Sequence, residues 1–173
     1  MIYRAFIDDE DTFFRIEYYL SPNRWIENSF SSDNPIADVC NWSKEIKYMN
    51  NSNEKISEEI NNLPTNTGGV YMFFVKGTTL PFIENYIVYI GRCRFTATQN
   101  IRKRAKEYIT DNRPMIKKMF KHWKKHLYYR YYSDIDNTQI DRNEIQLIRA
   151  LLPPYNEVIP DKMNIQETAP AFN

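Results

Sequence analysis

Two apolar runs flanked by glycine constrain this chain more than any other feature: GGVYMFFVK at residues 68–76 and YIVYIG at residues 86–91. The first opens on paired glycines and then stays apolar through Val75, a pattern that suits a buried strand rather than one with a solvated face. KGTT follows as a turn signal, and the second run reads as the neighbouring strand. Residues 92–99 read as a loop, with Thr98 as a helix cap, and a helix follows through about Ile109. Ile101, Arg104, Ala105 and Tyr108 share one side of it. Residues 114–126 form a stronger amphipathic helix, with Ile116, Met119, Phe120 and Trp123 as its apolar stripe. LYYRYY at 127–132 reads as a third strand. Residues 138–151 read as a further helix, stopped by Pro153 and Pro154.

The N-terminal third reads differently. IYRAFI at 2–7 and TFFRIEYYL at 12–20 predict a β-hairpin across the turn DDED. A loop containing Pro22 follows. Pro35 marks a helix start, with Asp33 or Asn34 as cap and Ile36, Val39, Cys40, Ser43 and Ile46 at helical spacing. NNSN at 50–53 breaks that helix, and 54–62 read as a short second one. The expected organisation is an N-terminal hairpin and helix extension (1–62), a core (63–157) and an irregular tail (158–173). The fold class is α+β, a small mixed or antiparallel sheet flanked by helices. With 173 residues and 42% hydrophobic side chains the chain can bury a real core as one domain.

No apolar run is long enough to span a bilayer, and the N-terminus lacks a signal-like pattern. Cys40 and Cys93 have neither metal nor disulfide spacing. The expectation is a reduced, soluble, cytoplasmic protein without a membrane partner. The net charge of +1 conceals an asymmetry: residues 92–130 hold 13 Lys/Arg against 2 Asp/Glu, a local excess of +11, while both ends are acidic. The basic block starts directly after Gly91. It reads either as a solvated surface balanced by acidic neighbours or as a surface for phosphates.

In order along the chain stand Gly69-Val70-Tyr71, Tyr89-Ile90-Gly91, a helix carrying Arg104, a later helix carrying Glu144, and Asn156 in PPYN. This order resembles the GIY-YIG nuclease family, with Val70 for the usual isoleucine. The resemblance covers residues 67–157. Many members have a histidine one turn after the arginine, where this chain has Tyr108, a side chain that can still donate a hydrogen bond to phosphate or water. The helical face selects Arg104 over Arg102 as the matching arginine, because Arg104 lies beside Ile101, Ala105 and Tyr108.

The resemblance implies a metal-dependent DNA endonuclease with Tyr71, Tyr89, Arg104, Tyr108, Glu144 and Asn156 as its catalytic set. Tyr71 would take a proton from a nucleophilic water, its phenolate stabilised by a nearby arginine or metal-bound water although a free tyrosine titrates near pH ~10. Tyr89 would position the water or the phosphate. Arg104 would bind the scissile phosphate and offset the charge that develops on it. Glu144 shares a helix face with Ile140, Leu147, Ile148 and Leu151. A carboxylate on such a face needs a partner: either a structural ion pair with an arginine or a metal ion. The resemblance favours Mg²⁺, for which Mn²⁺ can substitute. Arg92, Arg94, Arg102, Lys103, Lys117, Lys118, Lys121, Lys124 and Lys125 are the expected backbone-contacting residues on DNA. His122 and His126, four apart among lysines, read as part of that wet basic face.

The absence of a long linker or extra domains resembles the restriction-enzyme branch. That role would imply a homodimer on a palindromic site and a cognate methyltransferase as partner. The competing readings are a nucleic-acid-binding module that keeps the fold without catalysis, a repair or mobile-element nuclease, and an interaction protein that binds through its acidic N-terminal segment.

Overall fold

A computed structural model describes residues 16–77 and 85–160. In chain order they hold α1 (Pro22–Glu27), β1 (Ile46–Lys47), α2 (Glu58–Asn61), β2 (Gly68–Lys76), β3 (Asn85–Cys93), α3 (Ile101–Glu107), α4 (Pro114–Trp123), β4 (Leu127–Asp134) and α5 (Asn137–Leu151). The fold is α+β. Its four strands are antiparallel throughout, in the order β1-β4-β2-β3.

The apolar character of residues 68–76 follows from where β2 lies. It is paired on both sides, and its side chains alternate between two cores. Tyr71, Phe73 and Val75 join Tyr89, Ile101, Tyr108 and Met119 on the face covered by α3 and α4. Val70 and Ile90 meet Ile140, Leu147 and Ile148 of α5, with Ile36, on the other. An antiparallel strand covered on both faces therefore reads like a parallel one in sequence. The helices are capped by their own sequence. Asn100 accepts from the Lys103 amide at 3.0 Å, and Asp136 accepts from the Thr138 amide at 2.8 Å. α5 ends on Leu152 in the left-handed region (φ 46°), ahead of Pro153.

Several expectations are corrected. Residues 2–7 and 12–15 of the expected hairpin lie outside the described residues, and 16–20 form no strand. Pro22–Glu27, expected as loop, is a helical turn and a half, with Ser21 as cap and Pro22 in its first turn. Residues 35–46 do not form a helix. They make two 3₁₀ turns, Pro35–Ala37 and Val39–Asn41, and Ile46 enters β1. Tertiary pairing overrides the helical spacing there. Trp42 bridges to Tyr132 and donates its indole N–H to the Ile36 carbonyl at 2.9 Å, and the Ser43 amide donates to the Tyr131 carbonyl at 2.8 Å. The short helix expected at 54–62 reduces to α2. β3 continues through Cys93, so the loop starts at Arg94 and Asn100, not Thr98, caps α3. The helix expected through Ile109 ends at Glu107 and tightens into a 3₁₀ turn over Tyr108–Thr110. The helix expected over 114–126 likewise tightens into a 3₁₀ turn after Trp123.

The residues before 63 are not peripheral to the core. β1 completes the sheet against β4, and fully buried Tyr48 donates to the Ala105 carbonyl at 2.7 Å. Gln146 of α5 donates to the carbonyls of Asn28 and Ser29, just past α1. Among the described residues, no helix is long and apolar enough to cross a membrane.

Gly69 has φ of 141°, and a Cβ there would stand 1.9 Å from the Tyr132 carbonyl oxygen of β4. Gly69→Ala is therefore expected to lower stability by at least about 1–3 kcal/mol from backbone strain alone. A urea denaturation midpoint close to wild type would contradict this.

Candidate active site

The register of β2 and β3 sets the first part of the site. Tyr71 lies opposite Gly91, and Phe73 opposite Tyr89, so both motif tyrosines rise from the same face. A Cβ on Gly91 would lie 2.8 Å from the Tyr71 hydroxyl oxygen and 2.9 Å from two of its ring carbons. The tyrosine ring occupies the space that any side chain at 91 would need. That is the physical reason for a glycine at the end of an apolar strand.

The Tyr71 hydroxyl, fully buried, is the hub of a hydrogen-bond network. It donates to the Arg92 carbonyl (3.2 Å), accepts from Arg104 Nε (3.0 Å), and meets the Tyr108 hydroxyl at 2.7 Å. Arg104 Nη2 donates to Tyr108 Oη at 3.3 Å, and Arg104 Nη1 to Glu107 at 3.0 Å. The guanidinium also stands 4.7 Å over the Tyr108 ring. One consistent proton arrangement follows: Arg104 to Tyr108, Tyr108 to Tyr71, Tyr71 to the Arg92 carbonyl. Burial pushes the Tyr71 hydroxyl well above the ordinary tyrosine range, with Arg104 opposing the shift. A phenolate at Tyr71 would also face a carbonyl oxygen. Tyr71 therefore holds Arg104 in place. Tyr89 stands edge-on to the Tyr108 ring, with centroids 5.7 Å apart. Its hydroxyl accepts from Arg113 Nη1 at 3.2 Å, and it lines both halves of the cleft.

Glu144 reaches the site from the other face of the sheet. Arg92 lies opposite Val70, so its side chain leaves β3 toward α5, where its guanidinium pairs with Glu144 and, at 2.9 Å, with Asp141. Burial pushes the Glu144 carboxyl up, against the pull of Arg92. Arg94 forms a bidentate pair with Asp141, whose carboxyl that hydrogen bond holds low. Because β3 is the edge strand, groups from both faces meet around its end. They line an open cleft of about 420 Å³ bounded by Tyr71, Tyr89, Arg92, Arg94, Arg104 and Glu144, among others. It adjoins a second hollow of about 270 Å³ that shares Tyr89, Arg92, Arg113 and Glu144.

Asn156 belongs to the frame of this cleft. Its amide accepts from the Ile90 N–H (2.9 Å) and donates to the Ile90 carbonyl (2.8 Å), while the Tyr155 amide donates to the Val88 carbonyl at 3.0 Å. The segment after α5 thus covers the outer edge of β3 and fixes the backbone beside Gly91. Cys93 also lines the cleft, but burial pushes its thiol up to about 11, so it is protonated at neutral pH.

Of the expected catalytic set, Tyr71, Tyr89, Arg104 and Glu144 line the larger hollow, Asn156 lines the second, and Tyr108 lies directly beneath Arg104; Arg92 and Arg94, expected as DNA contacts, line the larger hollow too. Arg102 does not reach it: its Nε donates to the Leu63 carbonyl on the far side of α3. Lys103 donates to the Thr98 carbonyl at 2.9 Å. The lysines of the amphipathic segment divide. Lys117, Lys121 and Lys124 border a depression with Tyr108 and Asp111, next to the cleft, whereas Lys118 faces Tyr155 and Pro154 and Lys125 is exposed on the turn after α4. Sequence reasoning missed Arg113, Asp111, Asp141 and Glu107. Arg113 carried a faint signal as a basic-block residue directly before the proline that opens α4. No family model, curated protein or solved structure matches the chain in comparisons with known proteins.

The tight fit of Tyr71 over Gly91 yields a direct test. Gly91→Ala is expected to displace the tyrosine and destabilise the protein by about 1–3 kcal/mol, as overpacking of a well-filled core does. Chemical denaturation measures the loss, and an unperturbed midpoint would show that the ring can move aside freely.

Proposed function

We propose that this protein is a metal-dependent endodeoxyribonuclease that hydrolyses phosphodiester bonds in the cleft at the end of β3. One observation carries the reading: two phenols, four guanidiniums and a largely buried carboxylate, from strands, helices and loops distant in sequence and from opposite faces of the sheet, line one open hollow. Phosphoryl chemistry needs those parts in one place.

Arg104 binds the scissile phosphate through the donors that Tyr71, Tyr108 and Glu107 leave free, and offsets the charge that develops on it. The Tyr71–Tyr108 pair keeps its guanidinium from swinging into solvent. Tyr89 orients the attacking water through its hydroxyl. Arg92, which pairs with Glu144 and Asp141, turns to a DNA phosphate when one is present. Among the described residues no group of three or more His, Cys, Asp or Glu side chains gathers. A cation here would have Glu144 as its protein ligand, with phosphate and water oxygens completing the shell, a mode that suits Mg²⁺, with Mn²⁺ as a substitute. When bound it would supply a Lewis acid beside the leaving oxygen. Arg94 and the lysines Lys117, Lys121 and Lys124 extend the basic surface along the duplex backbone. A restriction role would pair two such clefts in a homodimer, with a cognate methyltransferase protecting the host sites.

A second reading is favoured by the Arg92–Glu144 ion pair. If that pair persists on DNA, the cleft binds phosphate without hydrolysing it. Nicking of supercoiled plasmid with Mg²⁺ but not with EDTA separates the two readings.

Glu144→Gln is expected to abolish cleavage and leave duplex affinity near wild type, because Asp141 still partners Arg92. Gel-based cleavage and fluorescence anisotropy test the two halves, and near-normal turnover would remove Glu144 from the metal role. Arg104→Ala is expected to slow single-turnover cleavage by about 10²–10³-fold, the usual loss for one transition-state donor. Arg102→Ala, acting at Leu63, should change that rate far less. The reverse order would reassign the phosphate contact.

A further inference from the structure

Arg113 is the cationic side chain of the cleft that neither the sequence motif nor the mechanism above accounts for. It precedes Pro114, with the extended backbone (φ −60°, ψ 133°) that a following proline favours. Asp111 grips it three ways. The carboxylate accepts from the Arg113 backbone amide at 2.9 Å, from Nε at 3.1 Å, and from Nη2 at 2.7 Å. At the other end of the guanidinium, Nη1 donates to the Tyr89 hydroxyl at 3.2 Å. The guanidinium centre stands 5.8 Å from the Tyr89 ring centroid and 5.7 Å from that of Tyr108. The side chain is thus fixed at both ends, yet 42% of it remains exposed, whereas its partner Asp111 is only 12% exposed. It lines both halves of the cleft.

An ion pair that merely fixed the start of α4 would need neither tyrosine. This one lies over the rings of two buried tyrosines of the site, Tyr89 and Tyr108. Arg104 stands over the same Tyr108 ring, so two guanidiniums converge on one aromatic side chain. Each is held there by its own carboxylate, Glu107 for Arg104 and Asp111 for Arg113. These pairs let both guanidiniums approach one ring at little net cost, and a phosphate entering the cleft can take the place of either carboxylate. The fork of Arg113 has more N–H donors than Asp111 and Tyr89 use. Its donation to Tyr89 occupies one lone pair of that hydroxyl oxygen.

We propose that Arg113 is a second phosphate-contacting residue of this cleft, aligned by Asp111, and that it sets the orientation of the Tyr89 hydroxyl. The inference rests on the nuclease reading for its rate effect and stands apart from it for its binding effect. Arg113 contacts a DNA phosphate opposite the one held by Arg104, so that the backbone runs between the two guanidiniums. Asp111 is a positioning residue and touches no substrate.

The test uses the full chain and a fluorescein-labelled duplex oligonucleotide. In EDTA, anisotropy titrations over a range of salt concentrations give the slope of log affinity against log salt. Arg113→Ala is expected to reduce that slope by about 0.9, the value of one duplex phosphate contact. With Mg²⁺, its single-turnover rate at saturating DNA should fall by about 10²-fold. Arg113→Lys keeps the charge without the planar fork that spans Asp111 and Tyr89, and guards against a folding failure of the alanine variant. It should keep the slope and still cleave about tenfold slower than wild type, about 1.4 kcal/mol of barrier. Asp111→Asn should lower kcat with little change in KM. An unchanged salt slope in Arg113→Ala, or a wild-type rate in Arg113→Lys, would overturn the proposal and leave Arg113 as a structural clamp. Should the wild-type protein cleave no DNA at all, the nuclease reading fails, and the slope measured in EDTA still decides whether Arg113 holds a phosphate.

Discussion

The Tyr71 ring lies directly over the β3 backbone at Gly91, and the rest of the cleft hangs from that contact. Removing a side chain at 91 brings the phenol close enough to donate to the Arg92 carbonyl, and in that position its oxygen receives Arg104 and Tyr108. A hydroxyl that is fully buried has no water to fall back on, so each of its partners is held firmly. Arg104 is aimed by a tyrosine that is itself aimed by the absence of a side chain on the neighbouring strand.

Around this hub the strong basic excess is locally neutralised. Arg92 pairs with Glu144 and Asp141, Arg94 with Asp141, Arg104 with Glu107, and Arg113 with Asp111. Partly exposed pairs of this sort contribute little to stability. Their consequence is geometric. They hold long, flexible side chains in the cleft at little net cost, and an incoming phosphate can replace the carboxylate partner without a large penalty. Glu144 is the exception. Its environment is drier, its carboxyl is pushed up by burial, and it needs a cation beside it. Arg92 supplies that cation here, and a metal ion would compete for the same position.

The sheet order explains why residues from opposite faces can meet. β3 is an edge strand, so a side chain from α5 and one from α3 need only reach around its end. An open edge also invites pairing with another chain. Tyr155 and Asn156 occupy that edge with backbone-like hydrogen bonds, which places the PPYN segment after α5 at the wall of the second hollow.

Much of the secondary structure was legible from local pattern. The unbroken apolar run of β2, the helical stripe of α4 and the proline stop after α5 each state their element within one window, because burial on both faces, on one face, or a missing N–H leaves a local mark. The segment 35–46 was misread because its apolar spacing fits a helix while Trp42, Ser43 and Ile46 are drawn onto β4 by partners about ninety residues away. α1 carried its cap and its proline, but six residues are too few to show a period. Within the site, the order of glycines, tyrosines, arginine and glutamate was visible along the chain, as was the bias of Arg104 toward the inner face of its helix. What only the tertiary structure decided was which groups touch: that Tyr71 lies on Gly91 and is too buried to ionise readily, that Glu144 meets Arg92, that Arg102 turns away to Leu63, and that Arg113 stands on Tyr89. Periodicity records which side of an element faces inward. It does not record the register between strands or the reach of an arginine across a cleft, because those depend on residues that folding alone brings together.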